Sequence, residues 1–148
     1  VSKQQKQSAG GAPSFLDKSL EALEGKDWGE PDYGSYVVRT SYSLRKKPLA
    51  SLTNEELRLA LSQQLGLPWI MELALVRLRE TLRISGDFYP GDVLVNALKV
   101  DAAFWANQTS LRAEFQKLAA QALATLGQFD EWDRETVRKE AEQFLTPH

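Results

Sequence analysis

Apolar residues recur at helical spacing through most of this chain, and the breaks between runs carry residues that start or stop helices. Ser14 is placed to cap a short helix with Leu16, Leu20 and Leu23 on one face and Gly25 as its stop. Thr53 opens the clearest element. Glu56 follows three residues later, the spacing of a capping box, while Leu52 and Leu57 are set as a hydrophobic staple. Leu57, Leu61 and Leu65 line one face until Gly66, read as the stop, and Pro68 suits the first turn of a new helix. From 69 to 84 apolar residues cover most of the circumference, which predicts a core helix. Val93, Leu94, Ala97 and Leu98 mark the next helix, and 101–107 a short one with Phe104 and Trp105. Leu111, Phe115, Leu118, Ala122 and Leu126 predict a longer helix ended by Gly127. Asp133 is the expected cap of the last, with Val137, Ala141, Phe144 and Leu145 inside and Trp132 stapled to Val137.

Residues 36–44 are ambiguous. Tyr36, Val38, Thr40, Tyr42 and Leu44 alternate as a strand would. No second convincing strand is available to pair with it, and an isolated strand leaves its backbone groups unpaired, so helix is expected. Residues 1–13, rich in Gln, Ser, Lys and Gly without apolar periodicity, read as a disordered tail. The expectation is an all-α fold, a compact single-domain bundle over 14–148 with about seven or eight helices.

Composition narrows the chemistry. The chain has 148 residues, 43% hydrophobic and 26% charged, ordinary for a soluble protein, and cytoplasmic placement is the default. Cysteine is absent and the only histidine is His148, so thiolate metal sites are excluded and nucleophilic triads lack an imidazole. No apolar run is long enough for a membrane span. No cofactor or small-molecule substrate is implied.

The net charge of −2 is unevenly spread. Asp17, Glu21, Glu24, Asp27, Glu30 and Asp32 oppose only Lys18 and Lys26, whereas Arg39, Arg45, Lys46 and Lys47 form a basic patch, read as a solvated loop. The turn 86–92, Gly-Asp-Phe-Tyr-Pro-Gly-Asp, holds two carboxylates, but Phe88, Tyr89 and Pro90 between them do not suit the alternating oxygen ligands of a calcium loop. A glycosidase pair would need a larger cleft. Its structural reading is a glycine-permitted turn in which Asp92 caps or charges the next helix start. The helix-turn-helix order of 53–84 fails as a DNA reader, since the second helix is apolar nearly all round and begins with Pro68 and Trp69. An interaction surface remains: Trp28 and Tyr33 in the acidic loop, with Phe88 and Tyr89, mix aromatics with carboxylates as a basic, concave protein partner would require, although loop aromatics such as Trp28 and Tyr33 equally serve as anchors into the core.

Several motifs in order also resemble one family. Leu23-Glu24-Gly25-Lys26-Asp27-Trp28-Gly29-Glu30-Pro31, Lys47-Pro48-Leu49, Leu52-Thr53-Asn54-Glu55-Glu56-Leu57-Arg58, Gln63-Gln64-Leu65-Gly66-Leu67 and the turn Gly86 to Leu94 are similar to those of contact-dependent growth inhibition immunity proteins. The resemblance implies a helical, non-catalytic protein whose partner is the toxic carboxyl-terminal domain of a cognate surface adhesin, commonly a nuclease and first a ribonuclease. Neutralisation would proceed by occlusion of the active site. Asp27, Glu30 and Asp32 are then the candidate cleft-facing acids, Tyr33 an aromatic anchor, and Asp87 and Tyr89 secondary contacts. A helical nucleic-acid-binding regulator using the basic patch is the alternative, and a small hydrolase comes third.

Overall fold

The computed structural model describes residues 13–31 and 34–147. All of the expected tail except Pro13 therefore lies outside the described residues, as do Asp32, Tyr33 and His148. The helices are α1 (Leu20–Glu24), α2 (Tyr36–Leu44), α3 (Asn54–Ser62), α4 (Leu67–Glu80), α5 (Asp92–Leu98), α6 (Ala102–Trp105), α7 (Thr109–Ala124) and α8 (Glu131–Leu145). Short 3₁₀ turns stand at Ser14–Asp17, Leu49–Ser51 and Leu126–Gln128. Among the described residues the β-type pairing is limited to a single bridge, Ser85 with Pro90, so the fold is all-α as expected.

Residues 36–44 form helix α2. Ser35 is extended and its Oγ accepts the Val38 N–H at 3.4 Å, which starts the helix. The alternation there has a helical explanation: Ser41 and Leu44 turn inward while Tyr36 and Val38 face out. The capping box on α3 is complete, with Glu56 N–H to Thr53 Oγ1 at 3.0 Å and Thr53 N–H to Glu56 Oε1 at 2.8 Å.

The stop of α3 differs from the expectation. The helix ends at Ser62, and Gln64 rather than Gly66 takes the left-handed conformation that closes it, with φ of 56°. Gln64 N–H reaches Leu61 O at 3.1 Å and Leu65 N–H reaches Ala60 O at 2.9 Å, the paired bonds of a Schellman ending. A non-glycine residue is held there because its side chain clasps Asp101: Gln64 Nε2 donates to the carboxylate at 3.2 Å and Oε1 accepts the Asp101 N–H at 3.1 Å. Gly66 instead starts α4, at φ of 51°, where an added Cβ would run into the side chain of Leu20. Gly66→Ala should therefore cost about 2 kcal/mol, from the left-handed backbone together with the clash, read as a lower urea midpoint at unchanged slope.

Helix α4 is the core helix, burying Ile70, Met71, Leu73, Ala74, Leu75 and Leu78. It stops at Glu80, short of 84, because Thr81 turns extended; Leu82 and Ile84 still reach the core from irregular chain. Three other boundaries shift. The expected Ser14 helix divides into a 3₁₀ turn and α1, since Ser19 is extended and caps Ala22 N–H at 3.1 Å. Helix α7 ends at Ala124, and Gly127 lies within the following 3₁₀ turn. Helix α8 begins after Asp130, which places Asp133 within its first turn, where a carboxylate still favours the helix dipole. Trp132 is consequently 90% exposed and staples nothing. Phe129 is the aromatic buried beside Val137, both closing over Gly91, which has no Cβ to obstruct them. Helix α8 packs along α7 and α5, and α3 against α5, and one continuous core runs from Leu20 to Ala141.

Candidate functional site

The acidic loop after α1 and the basic run after α2 lie about twenty residues apart in the chain and fold onto each other. Gly25, left-handed at φ of 69°, turns the chain out of α1 toward the end of α2. There Arg45, only 1% exposed, pairs with Glu24, donates to the Lys26 carbonyl at 2.8 Å and lies 4.0 Å above the Trp28 ring. Tyr42 meets the same indole edge-on at 5.1 Å. Lys46 Nζ stands 2.8 Å from Glu21, 3.4 Å from Asp27 and 3.8 Å from Glu30. Lys47 reaches Glu56 at 2.5 Å. Of the basic patch expected as a solvated loop, Arg45 and Lys46 are thus counter-charges of the acidic segment, Lys47 pairs with Glu56 outside it, and Arg39 stays exposed. The clue in the sequence was the pairing of two opposite runs, which reading each run separately does not reveal.

Asp27 and Glu30 remain outward-facing, their side chains 71% and 82% exposed. Asp27 Oδ1 accepts the Gly29 N–H at 2.6 Å. That bond, followed by hydrogen bonds from its neighbours and the charge of Lys46, holds its carboxyl below the ordinary carboxylate range. The loop is a preorganised anionic edge pinned by a buried arginine. Asp32 and Tyr33, the other two candidates on this loop, lie outside the described residues.

The turn 86–92 is built differently. Asp92, fully buried at the first position of α5, points its carboxylate back into the turn, accepting Gly86 N–H at 2.6 Å, Phe88 N–H at 3.0 Å and Tyr89 N–H at 3.3 Å. Rather than capping the helix ahead of it, this side chain holds the turn behind it. Glu55 on α3 fixes the turn from the other side, taking the Asp87 N–H at 2.7 Å while Arg58 grips both its oxygens at 2.6–2.7 Å. The arginine holds the Glu55 carboxyl below its usual range. Arg58 also lies 4.2 Å above the exposed ring of Phe88.

Asp87 is exposed at the turn's tip. Tyr89 is half-buried against the core and turned toward α8; burial raises its phenol, and Asp92, Asp133 and Glu140 add to the rise. Among the described residues no hydrogen bond or ion pair joins 27–31 to 86–92. Helix α2 offers Tyr42, and the residue that follows it Arg45, to the acidic loop. Its exposed Tyr36 lines a shallow groove of about 390 Å³ with Arg39, Thr53 and Glu55. Sequence reasoning did not single out Tyr36, Arg45 or Arg58 as site residues.

A family model described as CDI immunity proteins matches residues 22–115, well over half of the chain. The chain belongs to this family. Membership means that this immunity protein binds and neutralises a cognate toxin, a role the family typically performs without enzymatic activity. The matched span contains the acidic loop, the buried arginine and the turn, and ends within α7. No curated protein and no solved structure matches the immunity protein. Among its described residues, no helix is long and apolar enough to cross a membrane and no group of carboxylates or histidines converges as a metal site.

Proposed function

We propose that this immunity protein neutralises a nuclease, in the first instance a ribonuclease, by filling its active-site cleft with the acidic loop. Asp27, Glu30 and Asp32 face the cleft, Tyr33 anchors beside them, and Asp87 and Tyr89 make secondary contacts. The observation that carries this reading is the pair of exposed carboxylates on Asp27 and Glu30, mounted on a loop that buried Arg45 holds in place. A nuclease cleft is cationic because its substrate is a polyanion, so a rigid display of carboxylates substitutes for phosphates and steers association. Preorganisation limits the ordering cost on binding. The mechanism is occlusion, with no bond made or broken.

The ion pairs weigh against the nucleic-acid alternative. Arg45, Lys46 and Lys47 each engage carboxylates of this chain, which leaves them poorly suited to contact phosphates. The test is charge reversal. Asp27→Lys with Glu30→Lys should weaken toxin binding at least tenfold, since close charge pairs at such interfaces couple by about 1.5 kcal/mol or more. Far-UV circular dichroism should stay unchanged because both side chains are exposed. Full protection of cells by this double variant would remove the acidic loop from the interface.

A further inference from the structure

Two large aromatic side chains, Phe88 and Tyr36, stay 70% and 53% exposed although the backbone under each is firmly held. Asp92 accepts the Phe88 N–H at 3.0 Å, Glu55 accepts the Asp87 N–H at 2.7 Å, and Arg58 lies 4.2 Å beneath the Phe88 ring. Tyr89 beside it is half-buried, so Phe88 is the ring this turn presents. Tyr36 stands at the same carboxylate. Arg58 above all, then the Asp87 N–H and Tyr36, hold Glu55 below its ordinary range. Tyr36 and Glu55 face each other across the groove of about 390 Å³, whose α2 wall adds Arg39, Thr40 and Ser43 at three- and four-residue spacing.

The carboxylates lining this groove are already spent. Arg58 grips Glu55, while Lys47 and the Thr53 N–H take Glu56. Arg39 adds an exposed positive charge. A cationic side chain finds no free partner here, whereas an apolar one finds two pre-positioned rings. Position decides the occupant. The acidic loop lies against the other flank of α2 through Tyr42, and the chain after it reaches Gly34, whose carbonyl accepts from Arg39 at 2.5 Å. The nine residues of α2 span only about 14 Å. An interface of about 800 Å² per partner is roughly 30 Å across. A toxin domain seated on the acidic loop is wide enough to cover the groove as well.

We infer that the groove between α2 and the start of α3, with Tyr36 and Phe88 as its anchors, is a second contact surface for the cognate toxin and receives an apolar side chain from it. The inference rests on the acidic-loop reading for the toxin's placement and adds a contact of different chemistry. Rings held in place before binding cost little to order, and their burial slows dissociation. A matching toxin must then carry a cationic cleft and an apolar residue at the right distance from it. That pairing rejects toxins with only one of the two.

The test is binding kinetics with an inactive variant of the cognate toxin domain. Tyr36→Ser and Phe88→Ser should each speed dissociation several-fold, and together at least tenfold, with the association rate and its salt dependence unchanged. Asp27→Lys with Glu30→Lys should act on association instead. Phe88→Leu keeps apolar area without an aromatic face for Arg58, and should retain most of the affinity. In nitrogen-15 spectra the backbone amides of 36–43 and 86–89 should shift when toxin is added to the wild-type chain. Wild-type dissociation in the Tyr36→Ser/Phe88→Ser variant, with those amides unmoved, overturns the groove and leaves the acidic loop standing. Phe88→Leu binding no better than Phe88→Ser, with both melting lower, assigns Phe88 to covering Arg58 and overturns it as an anchor. Wild-type association of the charge-reversed variant, with the 36–43 and 86–89 amides shifted, overturns the acidic loop and keeps the groove.

Discussion

Asp92→Ala is expected to lower unfolding free energy by about 3–5 kcal/mol, a larger loss than either Gly66→Ala or Arg45→Ala should cause. The Asp92 carboxylate has no solvent exposure and accepts three backbone N–H groups, from Gly86, Phe88 and Tyr89. Alanine removes every acceptor at once and leaves part-buried donors without partners, whose desolvation is then uncompensated. Arg58, whose charge acts on Asp92 and whose guanidinium covers Phe88, loses a counter-charge as well. For a chain of this length the loss corresponds to roughly a 10 °C fall in melting temperature. Asp92→Asn keeps one acceptor oxygen but presents an NH₂ group to N–H donors, so an intermediate loss should follow. Calorimetry or urea denaturation decides the matter; a change below about 1 kcal/mol for Asp92→Ala would show that water replaces the carboxylate readily. If Asp87 and Tyr89 make the secondary contacts proposed above, toxin binding should fall alongside stability, because both take their positions from this turn.

The second large effect is expected at Arg45. Arg45→Ala leaves Glu24 without its partner, the Lys26 carbonyl without a donor and the Trp28 ring without its cation. Breaking a buried pair by removing one member costs about 3–5 kcal/mol, but Glu24 retains some solvent access, so about 2–3 kcal/mol is the better expectation. Arg45→Met keeps much of the volume, so its loss should be smaller, and the difference between the two variants separates packing from charge. The functional consequence is more specific than the stability loss. Freed from Arg45, the segment carrying Asp27 and Glu30 should lose its fixed geometry, raising the cost of ordering it on the toxin. Faster dissociation at nearly constant association rate is the expected kinetic signature, because the acids proposed to steer encounter remain. Equal loss of association and dissociation control would show instead that Arg45 matters only through global stability.

Helix positions were legible from the chain because a local periodicity and a local cap are enough to specify them. The Thr53–Glu56 box and the all-round apolar character of α4 each follow from residues within about four positions of one another, whereas the helical answer for 36–44 came from the lack of a partner strand elsewhere in the chain. The expectations that shifted involved stops and partners. Gln64 ends α3 in the left-handed backbone conformation that glycine would otherwise take, its side chain held by Asp101, 37 residues away. Trp132 lost its expected staple because Phe129 already occupied the space beside Gly91.

What the amino-acid order determined by itself was the class of fold, the family resemblance and the lack of any thiol or internal imidazole, since each depends on composition or on short-range spacing. Tertiary structure alone decided which charges are spent and which stay available. Lys46 is spent at the surface on Glu21, Asp27 and Glu30, Asp92 turns backward into its own turn, and Trp105 with Arg112 is left holding unmatched donors. The physical reason is that a charge or an N–H group is satisfied by whatever the packed core brings within about 3–4 Å, and that proximity joins residues distant in sequence.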